Sequence, residues 1–284
     1  MRWRPLGWVM AMGGASCAAA AEPGAEPALR EAGVVDGLEI SFTPGVWLTR
    51  VAGDAALGGG AAINVDEQLG LDDLEAVFNA ELELRKASRW GLRLSGLDLD
   101  TDSSGAFVGP GSFGSIVLSD GQSFDSMFSL TSIALEACLP GWTLCPHGID
   151  VEGEIDSCAK LRIEPTLGVR YLDIDHALRS GALEETGEGE WLAPMAGLDL
   201  SVSFQPEDFP LLHELVVHAG LAAGPALGGD GGVVTQVRAG VIWNLTPNLG
   251  AQVGYRLLGA DVEHDSYSFD GSLQGLFLAG VIRF

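Results

Sequence analysis

The chain has 284 residues, 47% of them hydrophobic, with 15 Lys+Arg against 39 Asp+Glu and a formal net charge of -24. So acidic a chain repels nucleic-acid phosphates, which need a basic footprint, so no nucleic-acid partner is expected. Its 40 glycines argue against a helical bundle, because Gly is costly in helix interiors.

In chain order, residues 1–21 have the layout of a secretory signal peptide. Arg2 and Arg4 precede the apolar stretch Pro5–Met12, and small residues run to Ala19, Ala20 and Ala21, after any of which A-x-A cleavage fits. The run falls short of the ~18 apolar residues of a spanning helix. Cys17 lacks the bulky residue three places earlier that lipoprotein attachment would use. Residues 22–36, rich in Ala, Glu, Pro and Gly, read as a flexible lead-in, and residues 37–284 as one β domain.

Beyond the lead-in, every strong segment alternates apolar and polar residues, the mark of strands with two unlike faces. Phe78, Ala80, Leu82 and Leu84 alternate with Asn79, Glu81, Glu83 and Arg85; Leu198, Leu200 and Val202 alternate with Asp199, Ser201 and Ser203. Strands are predicted near 38–50, 75–86, 90–101, 123–137, 160–175, 191–205, 212–224, 233–246, 249–262 and 272–284. A single helical turn is expected at Leu71–Glu75. The connectors Lys86–Arg89, Pro206–Leu211 and Thr246–Asn248 are short, whereas 51–72, 102–122, 176–190, 225–232 and 263–271 read as longer loops. Strands of ~9–11 residues or more, tilted near 45°, cross a bilayer, and short turns at one end with long loops at the other describe a closed antiparallel transmembrane β-barrel. The expected count is ten strands, with eight or twelve as the neighbouring solutions. A soluble β-sandwich also alternates, but the signal-like N-terminus and the strand lengths favour the barrel.

The last strand, Leu276–Phe284, puts Leu276, Leu278, Gly280, Ile282 and Phe284 on one face and finishes on an aromatic residue. This resembles the assembly signal of bacterial outer-membrane β-barrel proteins. Gly168–Asp175 and Gly254-Tyr255-Arg256 resemble strand ends of the small porin-like type. The resemblance implies integral outer-membrane localisation, periplasmic termini, and contact with outer-membrane lipids and with the assembly machinery during insertion. It leaves open a narrow channel for small solutes or a non-conducting anchor displaying acidic loops. An outer-membrane barrel enzyme, lipid A modifying or omptin-like, and a soluble periplasmic lipid-binding barrel are the alternatives.

Charges on a lipid face are costly, so Glu81, Glu83, Arg85, Arg93, Arg162, Glu164, Arg170, Asp199, Glu214, Arg238 and Arg256 are assigned to the lumen. Glu81, Glu83, Glu164 and Glu214 are expected to pair with Arg93, Arg162, Arg170, Arg238 and Arg256. About ten strands leave a narrow or plugged bore. Trp90, Trp243 and Phe284 at the periplasmic ends and Tyr171 at the outer end are candidate interface anchors. Acids gather at the outer rim, among them Asp98, Asp100, Asp102, Asp173, Asp175, Glu184, Glu188, Glu190, Asp261 and Asp270. Divalent cations are their candidate ligands, although Asp98–Asp102 lacks the Gly and distal Glu of a calcium loop.

Cys138, Cys145 and Cys158 share the 138–158 connector, where an oxidising compartment would form one disulfide. Cys138–Cys158 is slightly favoured, with Cys138–Cys145 as competitor. These cysteines and His147 match no standard zinc spacing, and no cofactor is expected. His176 and His264 sit beside Asp175 and Asp265 near the outer rim, but no nucleophile elbow accompanies them and catalysis is not expected.

Overall fold

A computed structural model describes residues 37–86, 90–144, 159–205 and 212–284. The signal-like segment, the lead-in, Cys145, His147 and Cys158 lie outside the described residues.

The described residues hold fourteen strands and no helix: β1 (Leu38–Leu57), β2 (Ile63–Asn64), β3 (Glu75–Lys86), β4 (Trp90–Ala106), β5 (Gly111–Phe113), β6 (Ile116–Leu118), β7 (Ser123–Cys138), β8 (Trp142–Leu144), β9 (Lys160–Ser180), β10 (Leu183–Phe204), β11 (Glu214–Pro225), β12 (Gly231–Asn244), β13 (Leu249–His264) and β14 (Tyr267–Arg283). Ten of them pair antiparallel with their chain neighbours, in the order β1-β3-β4-β7-β9-β10-β11-β12-β13-β14, and β14 returns to β1. The amide of Phe284 donates to the carbonyl of Ile40 at 2.9 Å, joining the last strand to the first. The barrel is therefore closed, with no free edge around its lower half. The described domain begins and ends at this end, here called the terminal end.

Alternation sets the two faces. On β10, Leu192, Pro194, Ala196, Leu198 and Leu200 point outward while Trp191, Ala193, Met195 and Asp199 point inward. Outward apolar residues run from Leu192 to Phe204, which at ~3.3 Å per residue and a tilt near 45° stands about 28 Å high. The outer limit of this band is sharp. Gly96, Ile133, Tyr171 and Leu192 form one cross-strand row, and the next row outward is Asp98, Thr131, Asp173 and Glu190.

Beyond that row the wall opens into two facing sheets. Pairing of β3 with β4 stops at Asn79–Leu97, and pairing of β10 with β11 stops at Ala196–Ala223. β4, β7, β9 and β10 project as one sheet, and β1, β13 and β14 face them. Between them pack Phe128 on Phe269 (ring centroids 5.3 Å apart) and Trp191 edge-on to His264 (6.0 Å). Gly187 is required here, because a Cβ would lie 2.2 Å from the Tyr267 ring. The segment 58–74 fills one seam with buried Leu69 and Leu71, and residues 226–230 close the other with buried Ala226. The β5–β6 hairpin folds over the mouth, burying Phe113, Ile116 and Leu118, and Ser115 at its tip bonds Glu185 of β10.

Three expectations are corrected. Residues 176–190 and 263–271 are not long loops: β9 runs into β10 through Gly181-Ala182, and β13 into β14 through Asp265-Ser266. Both two-residue turns use a left-handed residue, Gly181 at φ 63° and Asp265 at φ 52°, which hairpin geometry demands. Leu71–Glu75 holds no helical turn; i→i+4 backbone bonds occur instead at Asn64–Gln68 and Asp66–Gly70.

Candidate functional site in the lumen

The interior of the terminal half is ionic. The structure brings all eleven lumen candidates, Glu81 to Arg256, to the inner face. Strand alternation puts them there, and the tight ring of strands then brings residues distant in sequence into contact. Arg93 on β4 reaches Glu136 on β7 at 3.0 Å, Asp199 on β10 at 3.1 Å and Glu81 on β3 at 3.3 Å. Arg85 contacts Glu83 and reaches across to Glu164 at 2.7 Å, which also takes Arg162 at 2.6 Å. Arg238 binds Asp199 and lies 3.7 Å from Glu136. Arg256 approaches Glu81 at 3.5 Å with its guanidinium 4.4 Å above the Phe277 ring. Arg93–Asp199, Arg85–Glu164, Arg238–Asp199, Arg238–Glu136 and Arg256–Glu81 join strands that are not neighbours, so these ties strut the bore as well as line it.

Two candidates have other partners than expected. Glu214 accepts from the Asn244 amide at 2.8 Å, and Arg170 donates to Ser132 Oγ at 2.7 Å and to Gln236 Oε1. Neither forms an ion pair among the described residues. Glu136, absent from the eleven, is a central acid of the network. Its inward neighbours on β7 are Ser132, Ala134 and Cys138, so no run of charges marked the face, though strict alternation from Ser126 would have done so. His218, which accepts from or donates to Gln252 at 2.8 Å, also lines the bore.

Toward the terminal end the network borders an open vestibule of about 470 Å³, lined by acids such as Glu83 and Glu214 and by Lys160, Arg162 and Arg283. Toward the outer end the bore is blocked by buried Trp47, Val51, Leu99, Phe128, Leu130, Ile174, Trp191 and Phe277. Six lumen guanidiniums (Arg85, Arg93, Arg162, Arg170, Arg238, Arg256) face six carboxylates (Glu81, Glu83, Glu136, Glu164, Asp199, Glu214), so these twelve groups balance although the chain does not.

Trp90, Trp243 and Phe284 face outward near the terminal end, and Tyr171 faces outward in the last apolar row. Trp142 joins them, because β8 pairs with β9 and extends the wall within what was expected to be the 138–158 connector. Cys138 is buried on the inner face and makes no disulfide among the described residues. Outside the apolar band, burial and then the charges of Asp175 and Glu190 push the Asp173 carboxyl up. No group of three or more His, Cys, Asp or Glu among the described residues is placed to hold a metal ion.

His176 and Asp175 lie on opposite faces of β9. His176, five residues past Tyr171 and so outside the apolar band, is fully buried; Ser126 Oγ lies 3.1 Å from its Nε2, and Phe113, Phe128 and Tyr267 surround it. Burial lowers its pKa to about 4 and pushes the Tyr267 phenol up. His264 donates from Nδ1 to the Gly228 carbonyl at 2.9 Å.

The architecture is that of outer-membrane β-barrels. The protease OmpT from Escherichia coli is similar with a TM-score of 0.48 and 10% identity, over 87% of this chain and 96% of that one. Ail from Yersinia pestis is similar at TM-score 0.34 and 13% identity, over 87% and 98% of the two chains. The translocator domain of the autotransporter NalP from Neisseria meningitidis gives 0.34 and 13%, over 90% and 91%. No protein-family model and no curated protein matches the chain.

Proposed function

We propose that the protein is an integral outer-membrane barrel that does not conduct and is not catalytic: a membrane anchor holding a rigid, acidic two-sheet projection beyond the lipid. Its termini face the periplasm in this reading. The observation that carries it is the dry outer bore. Phe128, Ile174, Trp191 and Phe269 are each at most 1% exposed, so no water-filled path continues outward from the vestibule. The apolar belt about 28 Å high supports membrane residence, since it matches the hydrocarbon band of barrels. Against catalysis stands the setting of the Ser126–His176 pair, which is sealed among Phe113, Phe128 and Tyr267 away from any substrate.

Planar-bilayer recording with the refolded full chain tests the reading, beside a gel of heated and unheated samples that reports a folded barrel. The expected result is a heat-modifiable band without channel activity. Stable single-channel steps from the same folded preparation would refute it. Release into the supernatant without detergent on cell fractionation would refute membrane residence.

A further inference from the structure

We propose that the barrel holds one small monovalent anion, chloride in ordinary salt, in a small cavity lined by Trp47, Arg170 and Arg256. The cavity measures about 20 Å³ and lies between the ionic network and the apolar packing. That volume admits a single small particle, a water molecule or a monatomic halide. Three of its lining residues carry a buried N–H with no partner: Trp47 Nε1, Arg170 Nε and Arg256 Nε. Trp47 is 1% and Arg170 5% exposed, so bulk water does not satisfy them. Indole and guanidinium nitrogens donate only.

Charge distinguishes an anion from a water. Arg170 is a buried cation whose partners, Ser132 and Gln236, are neutral. Of the carboxylates around it, Glu136 is held by Arg93 at 3.0 Å and Arg238 at 3.7 Å, and Glu81 by Arg93 at 3.3 Å, Arg256 at 3.5 Å and Arg238 at 4.0 Å, so neither is in contact with Arg170. A buried cation with no carboxylate in contact is expensive. A water molecule answers hydrogen bonds but brings no charge, and its oxygen accepts only two bonds where three donors are unpaired. A halide meets both needs. Exchange has a route, because Glu81 and Arg256 line both this cavity and the vestibule, so their 3.5 Å contact is the partition between them. The proposal holds whether or not the barrel conducts.

Crystals of the full-chain protein grown in sodium bromide, with data collected at the bromine edge, test it. The expected result is an anomalous peak enclosed by Trp47, Arg170 and Arg256 that disappears in Arg170→Met. A water or an empty cavity at that place in saturating bromide would overturn the proposal, as would a peak that persists in the variant. Should Arg170→Met fail to fold, Trp47→Phe provides the comparison, with a weakened peak expected. In solution, the unfolding midpoint of the wild type should rise saturably when chloride replaces gluconate at fixed ionic strength. Identical curves in the two salts would also overturn it.

Discussion

Truncating Phe128 to alanine tests whether the outer bore is a packed interior. Phe128 is 1% exposed, stacks on Phe269 at 5.3 Å and meets the His176 ring at 5.9 Å. Losing a buried phenyl ring removes its transfer free energy and leaves a cavity that two rigid sheets cannot collapse, a loss of about 3–5 kcal/mol. The adjacent residue supplies the control. Met127 is 65% exposed on the opposite face of the same strand, beyond the apolar belt, so Met127→Ala should stay within about 0.5 kcal/mol. Urea titration of the refolded protein, read by tryptophan fluorescence and by loss of the fast band on unheated gels, gives both values. Equal, small effects for the two variants would mean that Phe128 stands in an open, solvated bore, and the argument for a non-conducting barrel would fall with it.

Arg93→Ala should cost about 3–5 kcal/mol in the same titration, because Glu81, Glu136 and Asp199 lose a shared buried cation; Arg93→Lys should recover only part, since an ammonium cannot reproduce the guanidinium fork. Leu198→Arg should destabilise the protein by about 2–4 kcal/mol when refolded into lipid vesicles, whereas Glu188→Arg, on the same face of β10 but outside the apolar belt, should cost almost nothing. His176 should make stability fall in mild acid. Its folded pKa of about 4 lies below the ordinary ~6.5, so its contribution is intact above about pH 6.5 and is lost as pH falls toward 4, by about 3 kcal/mol. The measurement is the difference between wild type and His176→Leu across that window, and parallel profiles would refute it.

The sequence pattern located all ten wall strands because each crosses an apolar belt, where one face must be greasy. It lost the outer halves of β9, β10, β13 and β14, where that requirement ends. In Thr186–Glu190 the inward positions are Gly187 and Gly189 and the outward ones are polar, so alternation of hydropathy vanishes while the strand continues. The eleven lumen charges were legible from the cost of placing ions in lipid. The apolar filling was not, since a residue such as Phe128 has the same hydropathy whether it faces lipid or a packed bore. Only the phase relative to Glu136, eight residues along the same face, distinguishes the two.

The partition of charge explains why so acidic a chain can hold a balanced ionic network inside. Its guanidinium groups are concentrated inside, opposite an equal number of carboxylates, so the excess acids remain for the outer surface. There they repel. Asp54, Asp270 and Asp261 stand opposite one another on three adjacent strands, and Asp173 faces Glu190, arrangements that weaken a sheet. The position of the acids relative to the seams, where the wall strands part, supplies a reason to tolerate that cost. Where β4 loses β3 as a neighbour, Asp98, Asp100 and Asp102 occupy its outward face; where β10 loses β11, Glu184, Glu188 and Glu190 do the same. Alternating carboxylates beside an unpaired edge oppose pairing with another chain. The segments 58–74 and 226–230 cover the two seams without continuing the strand pairing, apart from a bridge between Leu192 and Leu227, and the acids line the edges of the β4–β10 sheet along both.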